Sequence, residues 1–197
     1  MMHQLVAAEP EHTARMQGFD YAQPGIYFIT VCTKDRVPWF GHVVGNEMQK
    51  SGIGVLVETA WLSIPRHFPD VRVDEFCVMP DHVHGLLEIM IPGTIPVAHV
   101  NVGTQNFASL RRWAQNEITG NRFGPQIRNL ASIVRGFKVG VTKGARTIDP
   151  AFAWQPRFWD RVVRDEGERG RIRKYIRANP RRWWERNKAA HLGNGVS

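Results

Sequence analysis

The chain has little that could staple it covalently or anchor it in a bilayer. Of its 197 residues only two are cysteines, Cys32 and Cys77, far apart and each in apolar surroundings. That pattern reads as two buried thiols in a reducing compartment and excludes a disulfide scaffold or a zinc knuckle. No run of about 18 apolar residues exists, so no membrane partner is expected. The N-terminus is polar and has no apolar signal core. These absences together suggest a cytoplasmic protein. Tyrosine is scarce too: the chain has three, Tyr21, Tyr27 and Tyr175. No internal repeat is visible.

Apolar residues make up 43% and charged residues 22%, enough to build a core and too little charge for general disorder. The net charge is +8 and the pI about 10.1. The excess is concentrated: from Arg157 to Lys188 there are twelve Lys or Arg against five Asp or Glu. A concentrated basic segment suits a polyanion, most often nucleic acid, although a solvated surface would look the same.

Residues 1–22 form a polar lead-in, and one domain is expected over 23–188, with a tail at 189–197. GIYFITVCTKD (25–35) is β-branched and aromatic and reads as a strand buried on nearly both faces. Gly45-Asn46 suits a turn between short strands. Ser51 can cap a helix whose stripe is Ile53, Leu56, Val57, Ala60, Trp61 and Ile64, ended by Pro65. VRVDEFCVM (71–79) and HVHGLLEIM (82–90) are strands separated by Pro80-Asp81. Gly, Pro, Asn and Gln punctuate the chain from Ile91 onward, and 91–128 reads as a variable insertion or long loop containing one short helix, ASLRRWAQNEI. Residues 129–146 are an amphipathic helix with Leu130, Ile133, Val134, Phe137 and Val141 inward, and Gly136 and Gly140 against it. RFWDRVVRD (157–165) is a strand. Asp165 caps a helix that Asn179-Pro180 stops. The order β, β-hairpin, α, β, β, α, β, α predicts an α+β domain, an antiparallel sheet with helices packed on it.

Three places carry potential chemistry. Side chains alternate across a strand, so His82 and His84 share a face with Leu86 and Glu88, opposite Val83, Gly85 and Leu87. Two imidazoles about 7 Å apart at Cα can converge on one metal ion, or can simply be two partly exposed strand histidines. A metal would need a third ligand, and no Cys or His cluster supplies it. Tyr175 lies in GRIRKYIRANP, crowded by Arg171, Arg173 and Lys174. A tyrosine is a poor nucleophile until nearby positive charge favours its phenolate. Its ring could equally pack beside Ile172 and Ile176. Asn179 follows one helical turn later and can either ligate a metal or merely end the helix.

Taken together, GIYFITVCTKDR, FCVMPDHVHGLLEI, WQPRFWDRVVRDE and KYIRANPRRWWERN closely resemble the REP-associated tyrosine transposases, part of the single-tyrosine HUH class of transposases related to insertion-sequence enzymes. The resemblance spans roughly residues 20 to 188 and is weakest over the insertion. MPDHVHG and YIRANPRRW are its most specific motifs. It implies a ferredoxin-like domain and His82 and His84 as the metal-binding pair on a central strand. It implies Tyr175 as nucleophile, Asn179 as the residue completing the metal site, and Mg²⁺ or Mn²⁺ as cofactor. Imidazoles alone would suggest zinc; a DNA phosphate oxygen would add the hard ligand. The implied reaction cleaves and rejoins single-stranded DNA at a hairpin through a 5′-phosphotyrosine. Arg157, Arg161, Arg164, Lys174, Arg177, Arg181 and Arg182 are the cations expected on the phosphates. Trp183 or Trp184 would stack on a base or pack into the core. Two other readings remain: a DNA-binding module without catalysis, and a metal-dependent phosphodiesterase that uses water. Monomer and homodimer are both compatible with the sequence.

Overall fold

The computed structural model describes residues 23–91 and 129–192; the polar lead-in, the insertion with its ASLRRWAQNEI helix and the last five residues lie outside them. In chain order come β1 (Gly25–Cys32), a 3-10 turn (Lys34–Arg36), β2 (Gly41–Val44), β3 (Glu47–Lys50), α1 (Gly52–Leu62) and α2 (Ile64–His67). β4 (Val71–Met79), β5 (His82–Ile89), α3 (Leu130–Ile148), β6 (Trp159–Val163), α4 (Glu166–Arg177) and α5 (Asn179–Leu192) follow. Among the described residues β2 and β3 pair with each other alone, around Gly45-Asn46 as the sequence suggests. The other strands form one antiparallel sheet in the order β4-β5-β1-β6. Leaving out the small hairpin, the chain runs βαββαβ with its first and third strands central, which is the split-βαβ arrangement of a ferredoxin-like domain.

Both faces of the sheet are covered, which is why β1 reads as an almost unbroken apolar run. On one face Tyr27, Ile29, Val31, Val83 and Leu87 pack against Val57 and Trp61 of α1 and Ile133, Phe137 and Val141 of α3. Ser51 caps α1 by accepting from Gly54 N (3.1 Å), as its position predicts. The other face is smaller: Phe28, Leu86 and Val163 pack against Ile176 of α4, with Ile172 and Tyr175 alongside.

Ion pairs finish the attachment of α4. Arg169, Arg173 and Arg177, spaced one turn apart, form a stripe toward β4. Arg169 Nε and Arg173 Nη2 donate to Asp74 (2.7 and 2.8 Å), Arg169 Nη2 reaches Glu88 (3.2 Å), and Arg177 Nε reaches Glu75 (2.6 Å). Consecutive strand residues ordinarily point to opposite faces. The register of β4 against β5 shifts between Val73 and Phe76, and a bulge there lets Asp74 and Glu75 both meet α4.

The helix capped by Asp165 ends just before Asn179-Pro180, as expected, but a second helix follows at once. α4 stops at Arg177, and α5 starts at Asn179 after a single residue, Ala178, that is itself near-helical. Backbone bonds cross the joint, Ala178 N to Lys174 O (3.1 Å) and Arg182 N to Ala178 O (3.0 Å). Pro180 falls in the first turn of α5, where its missing N–H costs nothing.

Candidate active site

β5 is a central strand, and its odd and even side chains go to different cores. Val83 and Leu87 enter the large one. His82, His84 and Leu86 face α4 and α5. Neither histidine is a surface residue; both are buried, each 4% exposed. Their rings meet edge to face with centroids 4.4 Å apart, and the two Nε2 atoms stand 2.9 Å from each other. Both Nδ1 atoms point away to partners: Asp81 Oδ1 at 2.5 Å for His82, and Thr30 Oγ1 at 2.7 Å for His84. Burial first, and then the neighbouring His82, Arg36 and Arg186, hold His84 well below the usual imidazole range.

Helix α4 brings Tyr175 to this pair. Its ring lies edge-on to His84 (5.5 Å) and to Phe28 (6.0 Å), and Phe28 stacks on His84 (5.6 Å). Tyr175 therefore does pack, half-buried, against the edge of the smaller core and against a histidine at once. The guanidinium of Arg182 stands over its ring at 5.4 Å. One turn after Arg182's helix begins, Trp183 closes the other end of the pair, its ring 5.9 Å from His82. Asn179 sits four residues from both Tyr175 and Trp183, at the start of α5. It is 2% exposed, and its Nδ2 has no hydrogen-bond partner among the described residues.

Two facing imidazole nitrogens can reach one divalent ion, and imidazole is a borderline rather than a hard donor. Two ligands about 2.1 Å from one ion lie roughly 3.0 Å apart at an octahedral right angle and roughly 3.4 Å apart at the tetrahedral angle. The 2.9 Å between the two Nε2 atoms is a hydrogen-bond distance and is also short enough for both to reach one ion. Among the described residues no group of three His, Cys, Asp or Glu forms a closed cage. One helical turn from Tyr175, the buried Asn179 carries an amide whose Nδ2 has no partner among the described residues.

The expected phosphate-binding cations divide into two sets. Arg161 pairs with Glu168 (2.6 Å), Arg177 with Glu75, and Arg181 with Glu185 (2.8 Å). Arg157, Arg164, Lys174 and Arg182 are exposed and carry no ion pair among the described residues. Arg157 also has a left-handed backbone (φ 66°), its carbonyl accepting from Lys138 Nζ. Lys138 is thereby turned inward; it also donates to Gln155 O (2.7 Å), and burial pushes its ammonium down to about 8. Three residues at the site escaped the sequence reading: Thr30, Asp81 and Arg36. The one available signal was a threonine alternating with apolar residues on a buried strand, and only the β1–β5 register, Thr30 opposite His84, gives it meaning.

No protein-family model matches the chain. An uncharacterized protein of Haemophilus influenzae is 36% identical over 170 residues, 86% of this chain and 87% of that one. A second protein of that organism, described as "Putative REP-associated tyrosine transposase", is 24% identical over 161 residues, 82% of this chain and 73% of its own. Among solved structures the chain is similar to a REP-associated tyrosine transposase bound to a REP hairpin, at 20% identity and a TM-score of 0.47 over 84% of this chain and 73% of that one.

Proposed function

We propose that the chain is a REP-associated tyrosine transposase that cleaves and rejoins single-stranded DNA beside a hairpin, with Tyr175 as nucleophile. The observation that carries this reading is the juxtaposition of Tyr175 with two buried imidazoles whose Nε2 atoms face each other.

His82, His84 and the amide oxygen of Asn179 would hold Mg²⁺ or Mn²⁺, with a phosphate oxygen of the DNA as a further ligand. When bound, the ion supplies positive charge to the scissile phosphate and orients it. Tyr175 Oη attacks phosphorus in line. The Oη–P bond forms as the P–O3′ bond breaks, and the electron pair leaves on O3′. The phenolic proton passes to solvent and the 3′-oxygen takes one up, leaving a 5′-phosphotyrosine and a 3′-OH. Phosphodiester energy is kept in the covalent bond, so attack by a new 3′-OH reverses the step without a nucleotide cofactor. Arg182, over the Tyr175 ring, binds the phosphate or the developing phenolate. Trp183, half-buried beside His82, offers a face to a base next to the cleavage point. Arg157, Arg164 and Lys174 take the flanking phosphates. Arg161, Arg177 and Arg181 join them only by exchanging a carboxylate for a phosphate.

The test uses an end-labelled hairpin with single-stranded flanks, Mn²⁺ and a denaturing gel. The wild-type protein is expected to yield a covalent protein–DNA band that EDTA abolishes. Tyr175→Phe should keep hairpin binding and lose the band. An adduct formed by Tyr175→Phe at a comparable rate refutes the assignment. DNA cleaved by the wild type without any adduct would indicate attack by water.

A further inference from the structure

The paired imidazoles are each gripped from behind. Thr30 on β1 stands opposite His84 on β5, with Oγ1 2.7 Å from Nδ1, and Asp81 in the turn before β5 sets its Oδ1 2.5 Å from His82 Nδ1. The two grips differ chemically. A carboxylate only accepts, so His82 carries its proton on Nδ1 and turns the Nε2 lone pair toward His84. A hydroxyl both donates and accepts.

That difference lets one arrangement serve two states. With no cation between the rings, the bonds run in one direction: Thr30 O–H to His84 Nδ1, His84 Nε2–H to His82 Nε2, His82 Nδ1–H to Asp81. Every donor has an acceptor. A cation between the rings needs a lone pair on both Nε2 atoms. His84 must then carry its proton on Nδ1, and the Thr30 hydroxyl must turn round to accept it. No apolar side chain of the same shape can follow that change.

Asp81 is itself braced. Arg36 Nε lies 3.4 Å from Asp81 Oδ2, and Arg36 Nη1 donates to Cys32 Sγ (2.9 Å). Thr33 ties the loop to the same turn, its N and Oγ1 both donating to Asp81 O (2.9 and 3.0 Å). Asp35 and Arg36 take left-handed backbone angles (φ 53° and 56°). Such strain in non-glycine residues persists where surrounding structure enforces it, commonly at functional sites. Here it reverses the chain at the end of β1 and returns Arg36 over Asp81.

We propose that Thr30 is a reversible positioning residue for His84, and Asp81, braced by Arg36, a fixed one for His82, together setting the tautomers in which the pair takes up a divalent cation. The inference rests on the reading of the pair as a cation site. Outer partners of metal-bound histidines typically change affinity by about 10- to 100-fold.

The experiment uses the full chain, with Mn²⁺ as probe for affinity and Mg²⁺ for ¹⁵N spectra of the histidine rings. Thr30→Val should weaken Mn²⁺ binding at least about 10-fold, and Thr30→Ser, which keeps the hydroxyl, should restore it. The metal-free spectrum should show His82 protonated at Nδ1 and His84 at Nε2, with the His84 proton moving to Nδ1 on saturation with Mg²⁺. Wild-type affinity in a folded Thr30→Val variant, or His82 protonated at Nε2, overturns the proposal while leaving the cation site standing. A wild-type protein that takes up no Mn²⁺ overturns the cation site itself, and this inference with it. If Thr30→Val does not fold, the Thr30→Ser affinity and the wild-type spectra decide the matter, since loss of affinity in Thr30→Ser contradicts a role for the hydroxyl.

Discussion

Gly85, the glycine of MPDHVHG, should tolerate no side chain, and the reason is Trp61 rather than the chemistry next door. A Cβ at Gly85 would sit 2.1 Å from Trp61 Cζ2, 2.8 Å from Cε2 and 2.9 Å from Cη2. Carbon atoms ordinarily meet at about 3.5–4.0 Å, so the indole would have to retreat by roughly 1.5 Å. It has no room: Trp61 is 0% exposed, stacked on Phe76 (6.0 Å) and edge-on to Phe137 (5.2 Å). Overpacking of this kind costs about 1–3 kcal/mol, and the locked ring puts Gly85→Ala at the upper end. Removing a glycine from a strand returns about 0.5–1 kcal/mol, so the clash wins by roughly 2 kcal/mol. In a domain of this size that lowers the thermal midpoint by about 4–8 °C. Trp61→Leu alone will also destabilise, but in that background Gly85→Ala should cost little, a strong non-additivity. The assay is thermal or urea unfolding of the four proteins of the cycle. Equal cost of Gly85→Ala in both backgrounds, or a midpoint within a degree of wild type, refutes the argument.

Exposed, ion-pair-free cations should govern the salt dependence of hairpin binding. Lys174→Ala with Arg182→Ala is expected to reduce the slope of log affinity against log salt by about 1.4, at about 0.7 per single-strand phosphate contact; an unchanged slope in the folded double variant moves the footprint elsewhere. Arg169→Ala with Arg173→Ala should instead lower stability and leave the slope unchanged, because those cations are spent on Asp74. For Asp74 itself, burial alone would raise the carboxyl, but hydrogen bonds from Arg173 and Arg169 outweigh it and hold it below its ordinary value. A depressed carboxyl stabilises the fold above its unfolded pKa and loses that contribution as pH falls through the folded one, so Asp74→Asn should flatten the loss of stability below about pH 4; parallel acid-unfolding curves would contradict this. Burial pushes the Cys77 thiol up to about 12, so Cys77 should resist alkylation at pH 8 until the protein is unfolded, as peptide mapping by mass spectrometry would show; rapid labelling of native protein would contradict it.

What could be read along the chain was what depends on one segment alone. Apolar periodicity located the sheet and its covering helices, Ser51 and Asp165 marked real N-caps, and alternation placed His82 and His84 on one face. What stayed hidden depends on two segments meeting. Thr30 and His84 are 54 residues apart and become partners only through the β1–β5 register. The bulge at Asp74 and Glu75 is a fault in pairing, not in composition. Charge shows the difference most clearly. Summed from Arg157 to Lys188, the cations look like one DNA-binding pool. Yet Arg169, Arg173 and Arg177 recur every fourth residue and lie along one side of α4, while β4 holds Asp74 and Glu75 side by side. Those three arginines fix the helix that carries Tyr175 to the sheet that carries the histidines. The cations that remain for a polyanion are the ones off that stripe, Lys174 and Arg182 among them, and Arg182 is the one that stands over Tyr175.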